Sequence, residues 1–268
     1  MTARRKIEHA SAPPKNAANV RPAKRQRLDL ALVDRGIAPS REKARAYILA
    51  GDVQVDGRTE ARAGALVPAD AVITLAQPAR FVSRGGEKLD HALAHFAIDV
   101  RGRVAADVGA STGGFTDCLL QRGAARVYAI DVGYGQLDLR LRDDPRVVVM
   151  ERTNARDLAS LPQQPDLATV DASFISLTKL LPAVVRVLRP GADIIALVKP
   201  QFEAEKHEVK RGGVVRDPLV HAAVIGRVAW WCVNHGLRVR GVAMSPLLGP
   251  AGNREFFLWL ETPAREAP

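Results

Sequence analysis

The chain has 268 residues, 47% hydrophobic and 5% aromatic, with a formal net charge of +10. That is enough apolar material for one large domain and one small one, and no run of about eighteen apolar residues is present to form a transmembrane helix. Two cysteines, Cys118 and Cys232, lie far apart in sequence, which excludes a disulfide framework or a Cys-rich zinc site and fits a reducing cytoplasm.

The charge is concentrated at the start. Residues 1–26 carry seven Lys or Arg against one acid, Glu8. They lack hydrophobic periodicity and read as a disordered basic tail. Such a tail adds sequence-independent affinity for a phosphate backbone, or only solubility. It lacks the apolar stretch of a secretory signal.

An amphipathic helix is expected from Arg27, closed by Gly36. Ser40 then caps a second helix over 41–50, ended by Gly51. Arg41 and Arg45 share one face of it, with Lys43 offset. Val53–Val55, the Asp56-Gly57 turn and Ala71–Leu75 read as a small sheet. Standing alone, Arg41 and Arg45 are a solvated helix face. The series Arg27-Leu28-Asp29, Leu32-Val33, Gly36, Ser40-Arg41, Ala44, Ile48, Gly51 and Val55-Asp56-Gly57, however, resembles the S4 RNA-binding domain. The resemblance implies that a small α+β domain over 27–80 binds structured RNA, with Arg27, Arg41, Lys43 and Arg45 on the backbone phosphates.

Ala76–Arg80 reads as a linker broken by Pro78. Ser83 is placed to cap a helix through Leu93. An α/β pattern follows. Strands are expected at 104–107, 127–131, 147–150, 167–171, 192–198, 237–244 and 255–261, and helices at 114–122, 177–188 and 218–235. Seven strands with intervening helices suggest a doubly wound sheet. Residues 203–217, polar and carrying Gly212-Gly213, read as a mobile loop beside the crevice at the strand ends.

The segment Ala106–Asp117 contains Asp107, Gly109, Ala110, Ser111, Gly113, Gly114 and Phe115 between a strand and a helix. Small residues there let a backbone approach a nucleotide closely, unless the turn is an ordinary connection. Its glycines match neither the dinucleotide fingerprint nor a P-loop. Asp107 would repel a diphosphate and suits a cationic ligand, which S-adenosylmethionine is. Asp131, ending the next strand, is placed for a ribose, and Asn154 follows the third strand. Asp171 and Lys199 close two further strands and Glu255 opens the last. A lysine ending an apolar strand needs a carboxylate or shifts towards its neutral form, a competent base. No His/Cys cluster offers a metal site.

Residues 83–89 (Ser-Arg-Gly-Gly-Glu-Lys-Leu), 107–117, 170–177 (Val-Asp-Ala-Ser-Phe-Ile-Ser-Leu) and 198–203 (Val-Lys-Pro-Gln-Phe-Glu) resemble the TlyA family. Its members, often labelled haemolysin A, are bacterial rRNA 2′-O-methyltransferases of the class that includes FtsJ. The resemblance implies a Rossmann-like class I methyltransferase domain over 81–268 with a mostly parallel seven-stranded sheet. It further implies S-adenosyl-L-methionine as methyl donor and a cytidine ribose of rRNA, free or in subunits, as acceptor. The class tetrad falls on Lys88, Asp171, Lys199 and Glu255, with Lys199 as general base; Arg84 sits in the first motif as an RNA contact. A non-catalytic RNA-binding assembly factor and a membrane-lytic protein are the competing readings. The first is opposed by the intact tetrad, the second by the lack of any signal or spanning segment, so stable membrane association is not expected.

Overall fold

The structure is a computed structural model and describes residues 25–49, 51–60, 62–75, 80–209 and 212–264. Of the features expected above, residues 1–24 of the basic tail, Ala50, linker residues 76–79, and Lys210 and Arg211 lie outside the described residues. The chain divides into two compact units after residue 78.

The first unit begins earlier than its helical pattern suggests. Arg25–Arg27 form strand β1, which pairs antiparallel with β4 (Leu66–Pro68). Arg25 and Gln26 therefore belong to the fold and not to a disordered tail. Helix α1 covers Leu28–Asp34 and α2 covers Arg41–Leu49. Ser40 Oγ accepts from the Lys43 amide at 3.2 Å, the expected cap. Strands β2 (Val53–Val55), β3 (Arg58–Thr59) and β5 (Ile73–Leu75) form an antiparallel sheet. Asp56 and Gly57 join β2 to β3 with φ of +49° and +77°, the two left-handed residues of a type I′ hairpin. Leu28, Leu32, Ala44, Ile48, Val53 and Val67 make the core.

In the second unit, helix α3 (Arg84–His95) precedes β6 (Val104–Val108), α4 (Gly114–Gln121), β7 (Arg126–Ile130), the short α5 (Leu139–Arg142) and β8 (Val147–Met150). Then come β9 (Leu167–Val170), α6 (Leu177–Val187), β10 (Asp193–Val198), the one-turn α7 (Pro200–Glu203), α8 (Pro218–Asn234), β11 (Arg238–Met244) and β12 (Phe256–Glu261). All seven expected strands form one sheet, ordered β11-β12-β10-β9-β6-β7-β8. Five strands are parallel, and β12 runs antiparallel between β10 and β11. The central strands are apolar on both faces because each face is covered by helices. Strand order reverses between β6 and β9, where an open α/β sheet holds its ligands at the carboxyl ends.

Two local expectations differ. Ser83 precedes α3, but its hydroxyl makes no capping hydrogen bond. Gly85 and Gly86 instead let α3 lie close on the start of α4; a Cβ on Gly114 would sit 2.2 Å from Ser83 Oγ. The described residues of 203–217 are also more tied down than a free loop. Glu203 accepts from Ser176 Oγ and the Leu177 amide, both at 2.7 Å, which caps α6. Val215 donates its amide to Asn253 Oδ1 at 2.9 Å. Cys118 and Cys232 are buried free thiols.

Candidate active site

The β6–α4 connection is built on backbone contacts. The amides of Gly109 and Ala110 donate to the Ile130 carbonyl, pinning the loop to β7. Gly109 has φ of +87°, and a Cβ there would lie 2.6 Å from the Asp171 carbonyl oxygen. Only glycine allows the loop to touch the end of β9 this closely. Ser111, also left-handed at φ +48°, donates its amide to Asp131 Oδ2 at 2.8 Å. Gly133 donates to Asp131 Oδ1 at 2.7 Å. Asp131 is thus fixed at the end of β7 with lone pairs to spare.

These elements bound two cavities. A cleft of about 940 Å³ is lined by Gly109, Ser111, Asp131, Asn154, Asp171 and Phe174, among others. A smaller one of about 290 Å³ is lined by Arg84, Lys88, Gly109, Ala110, Ser111, Gly114, Phe115 and Asp171. Gly109, Ser111 and Asp171 belong to both walls. Asn154 caps the 3-10 turn Ala155–Asp157 by accepting from the Arg156 amide.

Asp107 and Gly113 stand elsewhere than expected. Neither lines either of these two cavities. Gly113, at φ +95°, packs under Leu137 and Leu141. Asp107 is fully buried inside β6 and accepts from Thr116 Oγ1 of α4 at 2.7 Å and Thr169 Oγ1 of β9 at 2.9 Å. A central parallel strand is covered on both faces, so its acid is interior and clasps strand, loop and helix together. Burial pushes its carboxyl up to about 6, aided by the charge of Asp171 and opposed by the two threonine hydrogen bonds. The folded carboxyl holds its proton more tightly than the unfolded one at ~4. Charged Asp107 therefore costs stability above about pH 6, and the cost is relieved as pH falls towards 4. Asp107→Asn, whose amide still pairs with both threonine hydroxyls, is expected to melt several degrees above the parent at pH 8. The gap should narrow at pH 5. Thermal unfolding at both pH values checks this, and a parent that melts higher at pH 8 contradicts it.

The four tetrad candidates form two ion pairs. Lys199, following β10, places Nζ 2.5 Å from Asp171 Oδ1 and donates to Ser173 Oγ at 2.9 Å. Lys88 of α3 places Nζ 2.5 Å from Glu255 Oε2 at the start of β12. Glu255 is buried, and its Oε1 has no hydrogen-bond partner among the described residues. The Lys199 side chain is 11% exposed. Asp171 and Ser173, which line the large cleft, stand beside its amine. Ser173 was not singled out by its sequence because a hydroxyl three residues past a strand has no distinctive pattern. Nor was Phe174: it is 90% exposed, at φ +64°, with its ring 5.1 Å from that of Phe202.

The expected RNA contacts fall in both units. Arg84 opens α3 and donates to the Leu248 carbonyl at 3.0 Å. In the first unit, Arg27, Arg41 and Arg45 all reach the carboxylate of Asp29, while Lys43 lies over the Tyr47 ring at 5.2 Å.

Comparison with known proteins bears on both units. Residues 26–73 match the S4 domain, and residues 81–262 match the FtsJ-like methyltransferase family. The 16S/23S rRNA (cytidine-2′-O)-methyltransferase TlyA of Mycobacterium tuberculosis is 50% identical over 244 residues, covering 90% of this chain and 91% of that one. YqxC of Bacillus subtilis, which carries an rRNA methyltransferase name, is 47% identical over 245 residues, covering 90% and 87%. A solved structure named as a hemolysin of Streptococcus thermophilus aligns with a TM-score of 0.69 at 39% identity, covering 91% and 92%. The chain is a member of the TlyA family, with an S4 domain followed by an FtsJ-like methyltransferase domain.

Proposed function

We propose that this chain methylates the ribose 2′-hydroxyl of a cytidine in ribosomal RNA, acting on subunits in the cytoplasm with S-adenosylmethionine as methyl donor. The observation that carries the reading is the Lys199–Asp171 ion pair, whose Asp171 belongs to the wall shared by two cavities, with Lys88 of the Lys88–Glu255 pair lining the smaller one. The larger cleft suits the donor in its chemistry. Asp131 offers a carboxylate to a ribose diol, Asn154 stands further along the wall, and Gly109, whose Cβ would strike the Asp171 carbonyl, keeps the loop against the end of β9. Bound there, S-adenosylmethionine supplies an activated methyl group on a sulfonium, for which an anionic wall at Asp171 is favourable.

A ribose hydroxyl is a poor nucleophile until its proton has an acceptor. As the oxygen–methyl bond forms and the donor's sulfur–methyl bond breaks, Lys199 Nζ, entering the step as the free amine, takes that proton. Its amine is held by the hydrogen bond to Ser173 Oγ and by the Asp171 carboxylate 2.5 Å away, as a positioned base requires. Lys88 and Glu255 add one charge of each sign, so the site stays near neutrality. No metal ligand set takes part in this scheme.

Phe174 receives a role as well. An aromatic ring held in the open on a left-handed backbone adds little to stability, and such strain collects at functional sites. It offers a stacking face to an unpaired base. Phe174→Ala is expected to lower methyl transfer to subunits by roughly tenfold without lowering the melting temperature. Turnover and unfolding measurements on the same preparation check it.

The function itself is tested by incubating the protein with labelled S-adenosylmethionine and ribosomal subunits from cells lacking the gene. Mass spectrometry of the digested rRNA should show 2′-O-methylcytidine. Label found only on bases, or no label, overturns the reading.

A further inference from the structure

Asp29 is fully buried at the start of α1, yet it is a carboxylate surrounded by arginines from two elements. Arg27 of β1 donates Nε to Oδ1 and Nη2 to Oδ2, both at 3.0 Å. Arg41 and Arg45, one turn apart on α2, each donate Nε to Oδ2, at 2.9 and 3.4 Å. The Leu30 amide donates to Oδ1 at 3.1 Å. With its acceptor sites filled this way, the carboxyl is held well below the usual range, chiefly by the Arg27 guanidinium. The arginines themselves are not buried: their side chains are 41%, 48% and 52% exposed. Arg41 and Arg45 spend only Nε on Asp29, and their Nη nitrogens have no further partner among the described residues. A guanidinium held by one edge still offers the other as a fork for phosphate, at reduced entropic cost.

We propose that Asp29 is a positioning residue for RNA: it fixes Arg27, Arg41 and Arg45 as one preformed set of phosphate-binding forks. The inference rests on the reading of the substrate as ribosomal RNA. It has a sign that simple electrostatics does not share. By charge alone, removing an acid from a basic surface tightens RNA binding and steepens its salt dependence. By positioning, removing it releases three arginines into separate rotamers and weakens binding despite the extra net positive charge.

The test measures binding of the full chain to purified ribosomal subunits across a salt series. Asp29→Asn is expected to weaken binding about tenfold and to lower the slope of log affinity against log salt by about one. Asp29→Glu should recover part of the loss. In steady-state methylation the loss should fall on KM for subunits. Arg41→Lys keeps the charge but cannot bond Asp29 and a phosphate from one planar group. It should bind nearly as weakly as Arg41→Ala, and as a change at a half-exposed side chain it reports even where Asp29→Asn unfolds the unit. Asp29→Asn binding as tightly as the parent or tighter, or Arg41→Lys matching the parent while Arg41→Ala is weak, overturns the proposal. Unchanged affinity in both Arg27→Ala and Arg41→Ala instead overturns the assignment of RNA to this surface, and the proposal with it.

Discussion

Lys199→Met is expected to reduce methyl transfer to ribosomal subunits about a thousandfold, within the ~10²–10⁴ that a positioned base contributes. Affinity for S-adenosylmethionine should change by no more than a few-fold. Methionine keeps the unbranched stem in the space between β10 and α7 and removes only the amine, so loss of packing does not enter. Asp171, left without its partner, is 23% exposed and can be hydrated there. The cavity walls are formed by other residues, including Asp131, Asn154 and Gly109. Single-turnover methylation with labelled donor, set beside calorimetric titration of the donor, separates the two effects. Turnover within tenfold of the parent removes Lys199 from the role of base.

Gly109→Ala is expected to lower the melting temperature of the methyltransferase unit by about 10 °C and to abolish turnover. Two costs add. Alanine at φ +87° is strained by about 1–3 kcal/mol. Its Cβ, 2.6 Å from the Asp171 carbonyl oxygen, then forces backbone apart at a further ~1–3 kcal/mol. Each kcal/mol shifts the midpoint of a unit this size by about 2–4 °C. The displaced segment carries Asp171 and with it the aim of Lys199, and a shift of about 1 Å in a reacting group costs about a hundredfold in rate. Gly252→Ala is the matched control: it has the same φ of +87° but nothing within 4 Å of its Cβ position. The difference in melting temperature between the two variants isolates the close approach. Equal melting temperatures show that it carries no weight.

The central sheet was legible because its strands are apolar runs ended by charged residues. Asp131, Asp171 and Lys199 stand within one residue of strand ends, as the topology requires of ligand-facing groups. The short strands β1 and β4 were not legible: three residues carry no period, and they form only because each is the other's partner. Asp107 was misplaced for a related reason. A strand over 104–107 would end on Asp107 beside the loop, but β6 runs on to Val108 and keeps the carboxylate interior. The hint to the contrary was Thr169, its cross-strand neighbour in register, which supplies one of the two hydroxyls that an interior carboxylate requires. The clustering of Arg27, Arg41 and Arg45 on Asp29 joins residues 2, 12 and 16 positions apart across three elements. The i,i+4 pair gave the shared face of α2 but not what that face is anchored to.

The antiparallel strand β12 has a consequence for how the unit becomes an enzyme. It is the last strand among the described residues, yet it lies between β10 and β11, and β11 has no other neighbour in the sheet there. A growing polypeptide can therefore assemble β6 to β10 while β11 waits unpaired. Glu255 arrives with that final insertion and reaches back across 167 positions to Lys88. On the proposed mechanism, catalytic competence is thus a property of the finished sheet, and a nascent or truncated chain that stops before Glu255 leaves Lys88 without its counter-ion.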